Sequence, residues 1–165
     1  NPLKPYSQQS TLTNIELFLK PRTSCFVQLR ACQPQFEEVR LAFSLKLHDA
    51  YSDFAFYAAQ LQQEITAFLS PWAYGSSSTL DFGGTVYKSV LINFIEERYY
   101  VGFITDVYMY VKVDDTTAES ADMDEINAST ARSILVSAPA TAHTINEITV
   151  DTVTVAEDCN CSDVD

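Results

Sequence analysis

The residues able to do chemistry are few, and their spacing argues against catalysis. His48 ends an alternating stretch on its polar side and His143 lies far along the chain. Neither belongs to a His-x-x-x-His pair or a Ser or Cys elbow, so both read as solvated side chains. Glu96-Glu97 closes a helix beside Arg98 and reads as a solvated helix end. Gly83-Gly84 is no phosphate loop, because no Lys-Ser/Thr follows at the required distance; it reads as a turn needing a positive φ. Cys25 and Cys32 stand seven apart in one short segment and read as small buried thiols. Cys159 and Cys161 form a Cys-x-Cys among acids, and neither pair has zinc-ligand spacing. No catalytic residue, metal site or cofactor is therefore expected, and a reducing compartment fits the cysteine usage. Asn127-Ala128-Ser129 and Asn160-Cys161-Ser162 match the glycosylation pattern and carry no weight without a secretion signal. What remains is a set of aromatic side chains outside the periodic core: Trp72, Tyr74, Tyr99, Tyr100, Tyr108 and Tyr110. Tyr and Trp in such places suit protein interfaces.

The elements that hold these residues are organised around residues 53–97. Phe54, Tyr57, Ala58, Leu61, Ile65, Phe68 and Leu69 form one apolar helical stripe, begun by a cap at Ser52 or Asp53 and ended by Pro71. A Gly-Ser loop follows, then a small hairpin of residues 80–82 and 85–86. A second helix carries Tyr87, Val90, Leu91, Phe94 and Ile95 on one face. Before these helices, residues 15–20 read as a short helix and residues 24–32 as a strand. The turn Gln33-Pro34-Gln35 leads to a second strand, residues 37–48, paired antiparallel with the first. In that second strand Val39, Leu41, Phe43, Leu45 and Leu47 alternate with polar positions. Residues 101–113 give another strand, with Val107, Met109, Val111 and Val113 inward. The expected fold is α+β: a two-layer sandwich, with a mainly antiparallel sheet of three to five strands covered by two main helices. Leu41, Phe43, Leu45, Leu61, Ile65, Phe68, Leu91 and Phe94 are its expected core.

The 165 residues divide into a linker (1–9), the α/β body (10–113), an acidic connector (114–128), a C-terminal strand segment (129–155) and an acidic, disordered tail (156–165). Short strands are expected at 132–137 and 145–155. Net charge is −12, and it is unevenly placed: residues 1–113 hold ten acids and nine bases, residues 114–165 twelve acids and Arg132 alone. Such a balance disfavours nucleic acid, whose phosphates need Lys and Arg. No apolar run approaches the ~18 residues of a membrane helix, so no membrane insertion is expected. The polar opening Asn1-Pro2-Leu3-Lys4-Pro5, without an initiator Met, reads as a cut from a longer chain.

Several stretches together resemble a family. They are Ser24-Cys25-Phe26-Val27-Gln28-Leu29, the strand from Val39 to Leu47, Phe68-Leu69-Ser70-Pro71-Trp72-Ala73, Phe82-Gly83-Gly84-Thr85-Val86-Tyr87-Lys88-Ser89, Asn93-Phe94-Ile95-Glu96-Glu97, Tyr100-Val101 and Arg132-Ser133-Ile134-Leu135-Val136-Ser137. Over about residues 10–140 the chain is similar to the C-terminal part of baseplate J-like proteins, the wedge proteins of contractile injection systems and phage-tail-like particles. Cys25 stands where the family pattern would have Pro, and the Cys-x-Cys tail has no counterpart. The resemblance implies a structural, non-enzymatic module that assembles in the cytoplasm with other baseplate subunits, namely wedge partners and hub or sheath-adjacent proteins. The finished particle would be released or membrane-apposed. Alone, the domain would be a monomer or weak dimer. Trp72, Tyr74, Tyr99, Tyr100, Arg132, Ile134, Leu135 and Val136 are the interface candidates. Residues 132–137 are suited to pair with this domain's own sheet or a neighbour's. The alternative is a small ligand-binding or enzymatic domain using a cleft near Trp72 and Gly83-Gly84.

Overall fold

Strand β1, Gln35–Leu47, is the centre of the molecule. In the computed structural model, described over residues 1–75, 80–114 and 116–149, Val39, Leu41, Phe43, Leu45 and Leu47 are all buried on one face. Arg40, Ala42, Ser44 and Lys46, on the other, are half-exposed. Period-two alternation of this kind commits a strand to a sheet covered on one side. On one edge β1 pairs antiparallel with β3, Val101–Lys112. On the other it pairs parallel with β5, Ser133–Ser137, and then with β6, Thr144–Glu147. The fold is α+β as expected, but the main sheet is mixed, because both late strands return to β1 in its own direction. A second sheet joins β2, Thr85–Tyr87, to β4, Glu125–Asn127, antiparallel.

The parallel edge is broken in its middle for a chemical reason. Ala138 N still donates to Val39 O at 2.9 Å, but Pro139 has no N–H, and a 3-10 turn over Ala140–Ala142 carries the chain away. The orphaned Leu41 N–H is taken by a side chain, His143 Nδ1, at 3.1 Å. On the antiparallel edge the register slips twice, between Ala42 and Ser44 and between Lys46 and Leu47. The first slip falls beside Asp106, whose φ is +53°. At the second lies Gly102. A Cβ there would sit 3.0 Å from the Lys46 carbonyl oxygen, with backbone on both sides of the contact. Gly102→Ala is accordingly expected to destabilise by about 1–3 kcal/mol, read as a lower denaturant midpoint with an unchanged slope. A midpoint equal to the parent's would show that the strands can separate at no cost.

Helices α2, Phe54–Leu69, and α3, Lys88–Glu96, contribute to the core with β1 and β3. Asp53 caps α2, its carboxylate accepting from Phe56 N at 3.1 Å. Leu61, Ile65 and Leu69 from α2 and Leu91 and Ile95 from α3 enter the core with Tyr100, Met109 and Ile126. Of the expected core, Leu41, Phe43, Leu45, Leu61, Ile65 and Leu91 are buried there. Phe68, by contrast, is 40% exposed and Phe94 half-buried. These two rings stack on each other with centroids 4.2 Å apart. The apolar stripes of the helices are wider than the sheet face they cover, so their margins meet each other.

The N-terminal segment departs from the expected strand and linker. Residues 24–34 form no strand; both edges of β1 are already taken by segments from much later in the chain, so the expected antiparallel partner has no place. Cys25 and Cys32 are exposed. Helix α1 runs Gln9–Leu19, earlier and longer than residues 15–20, and passes into a 3-10 turn at Lys20–Arg22. The segment read as a linker touches the body, through Lys4 Nζ to Glu38 Oε1 at 2.7 Å and the Tyr6 ring edge-on to Phe36. Nor does the acidic connector hang free. Asp122 Oδ1 accepts from Met109 N at 2.8 Å, Ser120 Oγ from Val111 N at 3.0 Å, and Met123 N donates to Met109 O. Asp122, Ser120 and Met123 thus satisfy part of one edge of β3, while Glu119 holds Arg40 with two bonds of 2.6 Å. Of the strand expected at 145–155, residues 145–147 belong to β6, residues 148–149 are not strand, and residues 150–155 lie outside the described residues. The tail, with Cys159 and Cys161, lies outside them.

Candidate interface

Pro71 stops α2 by fixing its own backbone and restricting Ser70 before it. Ser70 Oγ accepts from Ser137 N at 2.9 Å, so the end of the helix is pinned to the edge of β5. The turn at Gly83, with φ +65°, is pinned to the same strand by its N–H, 2.9 Å from Ser133 O. Ala128 N donates to Gly84 O at 3.1 Å and ties the turn to the end of β4. Between these anchored walls and α3 lies a cleft of about 520 Å³, lined by Phe68, Leu69, Pro71, Trp72, Phe82, Val86, Tyr87, Val90, Leu91 and Leu135. Among the described residues Asp81 is the one carboxylate in its lining. Phe68, Phe82, Tyr87 and Val90 are all exposed at its mouth. A carboxylate with no facing base offers no proton relay, whereas an open apolar trough with aromatic margins accepts an apolar side chain. Among the described residues no three His, Cys, Asp or Glu side chains converge as metal ligands.

The candidate residues scatter. Trp72 and Leu135 meet in the cleft. The Trp72 ring also packs on Phe36, Ile134 and Val136, with its Nε1 buried and unpaired among the described residues. Tyr74 is exposed just beyond a 3-10 turn over Pro71–Ala73. Tyr99 is exposed in a second aromatic group, edge-on to Tyr51 and Tyr100, with Tyr57 and Phe56 next in line. Tyr100 does not belong to the surface. It is fully buried, stacked on Tyr57, and its hydroxyl donates to Glu64 Oε2 at 3.0 Å; burial raises its pKa. Ile134 and Val136 are also withdrawn from any interface, since segment 133–137 has paired with β1 of its own domain. Arg132 is exposed at the entry to β5, its carbonyl accepting from Gln35 N.

His143 is the residue whose role the sequence concealed. It is 1% exposed rather than solvated. With Nδ1 accepting from Leu41 N, the ring proton sits on Nε2 and donates to Ser137 Oγ at 2.9 Å, whose hydroxyl in turn donates to Ala138 O. Gln62 Nε2 donates to the His143 carbonyl at 2.7 Å. Burial, with the positive charge of Arg40, lowers its pKa to about 4. Both nitrogens are engaged in holding the strand gap closed, so the ring is a structural element of the sheet.

No family model matches the chain, and no curated protein does. Among solved structures it is similar to a chain in the cryo-EM structure of the anti-feeding prophage (AFP) baseplate, 6-fold symmetrised. The TM-score is 0.58 at 13% identity, over 81% of this chain and 26% of that one. At this identity the likeness is one of fold. The chain corresponds to about a quarter of the length of that baseplate component.

Proposed function

We propose that this chain is a structural module of a baseplate, the C-terminal module of a wedge subunit in a contractile injection system or phage-tail-like particle. It works through protein–protein contacts and without catalysis. The observation that carries this reading is where the family-like motifs meet. Residues of Leu69-Ser70-Pro71-Trp72-Ala73 and of Phe82-Gly83-Gly84-Thr85-Val86-Tyr87-Lys88, separated by the eight residues 74–81, line the same apolar cleft. The fold likeness to a baseplate chain supports the same reading. Its partners would be other baseplate subunits, joined during cytoplasmic assembly. The body at 10–113, with the later segments folded onto it, would be the unit that is built in. Tyr99 and its aromatic neighbours offer a second contact.

The test is a pair of exposed substitutions, Phe82→Glu with Val90→Glu, in the particle that carries the chain. Neither side chain is in the core, so the melting midpoint should stay within about two degrees of the parent. Baseplate assembly should fall at least about tenfold, as for loss of an interface centre. Normal assembly with normal folding would remove the cleft from the interface.

A further inference from the structure

Residues 1–34 differ from the rest of the chain in both charge and exposure. They carry four bases, Lys4, Lys20, Arg22 and Arg30, and one acid, Glu16; residues 35–165 carry six bases and 21 acids. Of α1, only Leu12 is buried. Leu17, Phe18 and Val27 are more than half exposed, and Phe26 is 94% exposed. The Arg22 guanidinium lies over the Phe18 ring, 3.9 Å from its centroid, so this apolar surface carries its own cation. The cleft is the complement. It is open and mostly apolar, and among the described residues its lining holds Asp81 and no base. The Asp124 side chain is almost fully exposed beside it, on Lys88 next to Tyr87.

We propose that the cleft's occupant is the arm of a second copy of this chain: Phe18 and Phe26 enter the apolar trough while Arg22 and Lys20 face Asp81 and Asp124. Opposite charge sits on the two surfaces of one molecule, which favours a copy of itself over an uncharged partner. The molecule's own arm does not fill its own cleft. Lys4–Glu38, Tyr6–Phe36 and the Gln33 bond to the Ser7 carbonyl fix the arm at the start of β1, and there both Phe26 and the cleft mouth stay open. Such a contact is heterologous, each copy spending one knob and one hole, so it propagates head to tail into a ring or a row. It rests on the reading of the cleft as an interface and names what fills it.

Sedimentation of the purified 165-residue chain tests this. The parent should associate as concentration rises, and more weakly at high salt. An arm variant, Phe18→Asp with Phe26→Asp, and a cleft variant, Phe82→Asp with Val90→Asp, should each remain monomeric with parental circular dichroism. Mixed in equal amounts they should form dimers and stop there, since each supplies the one intact half the other lacks. Two monomeric variants that stay monomeric when mixed would overturn the heterologous contact. So would a parent that is monomeric at every concentration, or one that binds phosphatidylserine–phosphatidylcholine vesicles through the arm without self-associating. A monomeric parent whose cleft variant still blocks particle assembly would assign the cleft to a different subunit, ending the self-contact and leaving the interface reading intact.

Discussion

Phe43→Ala is expected to destabilise the protein by about 3–5 kcal/mol, the cost of an emptied aromatic site in a core that cannot fully collapse. Phe43 is 1% exposed at the middle of β1 and belongs to the cluster with Leu61, Ile65, Leu91 and Ile95. For a domain of this size that loss corresponds to a melting midpoint lower by about 10 °C. It is also a large part of the roughly 5–15 kcal/mol that holds a typical domain together. Phe68→Ala supplies the contrast. The same chemical deletion at a 40% exposed position beside Phe94 should cost about 1 kcal/mol or less, since much of that ring already meets water. Calorimetry of the two variants reads the difference directly. Equal losses, or a Phe43→Ala midpoint within about two degrees of the parent, would mean that the helices pack elsewhere.

These two phenylalanines also mark where the sequence was legible. The alternation through Leu41, Phe43 and Leu45 and the helical spacing of Leu61 and Ile65 are strong local signals, and the structure buries every one of those residues. Phe68 and Phe94 continue the same stripes, but how far a stripe stays covered depends on the width of the sheet beneath it. Cys25, Val27 and Leu29 alternate as a strand would. Whether such a segment pairs is decided by competition for the edges of β1, and residues 101–112, 133–137 and 144–147 take both edges. Tyr99 and Tyr100 show the limit most plainly. Adjacent and identical, they differ only in direction, set by the turn in which Val101 N donates to Arg98 O. One became surface, the other core. For the site, the sequence suggests a cleft near Trp72 and Gly83-Gly84, and Trp72 and Gly84 line one. Of its exposed margin, Tyr87 and Val90 belong by spacing to the apolar face of the second helix, yet both face outward with Phe82, because short apolar runs look alike whether they face inward or outward.

His143 should make the stability of this protein fall on mild acidification. Its ring is neutral and buried, and its pKa is lowered to about 4 from an ordinary 6.5. The causes are desolvation first and the Arg40 charge second, partly opposed by a backbone hydrogen bond with Ala138. The sign follows from which state binds the proton. Between pH 6.5 and about 4 the unfolded chain takes up a proton that the folded chain refuses, so the stabilising term is fully present above 6.5 and is lost progressively toward 4. The shift corresponds to about 3 kcal/mol across that window. Protonating Nδ1 also removes the acceptor for Leu41 N, where Pro139 has left β1 without a backbone partner. The gap between β5 and β6 is therefore where the sheet is expected to open first. His143→Gln is the informative variant. It is less stable at neutral pH, having lost a buried hydrogen-bond network. Its profile between pH 6.5 and 4 should nevertheless be flatter than the parent's by about 3 kcal/mol in total, carboxylate titration being common to both. Hydrogen exchange at Leu41 and Ile145 should accelerate in the parent as pH falls, beyond the intrinsic pH dependence of exchange. Parallel denaturation profiles for the two proteins would show that His143 titrates alike in the folded and unfolded chain, and that the strand gap is held by something else.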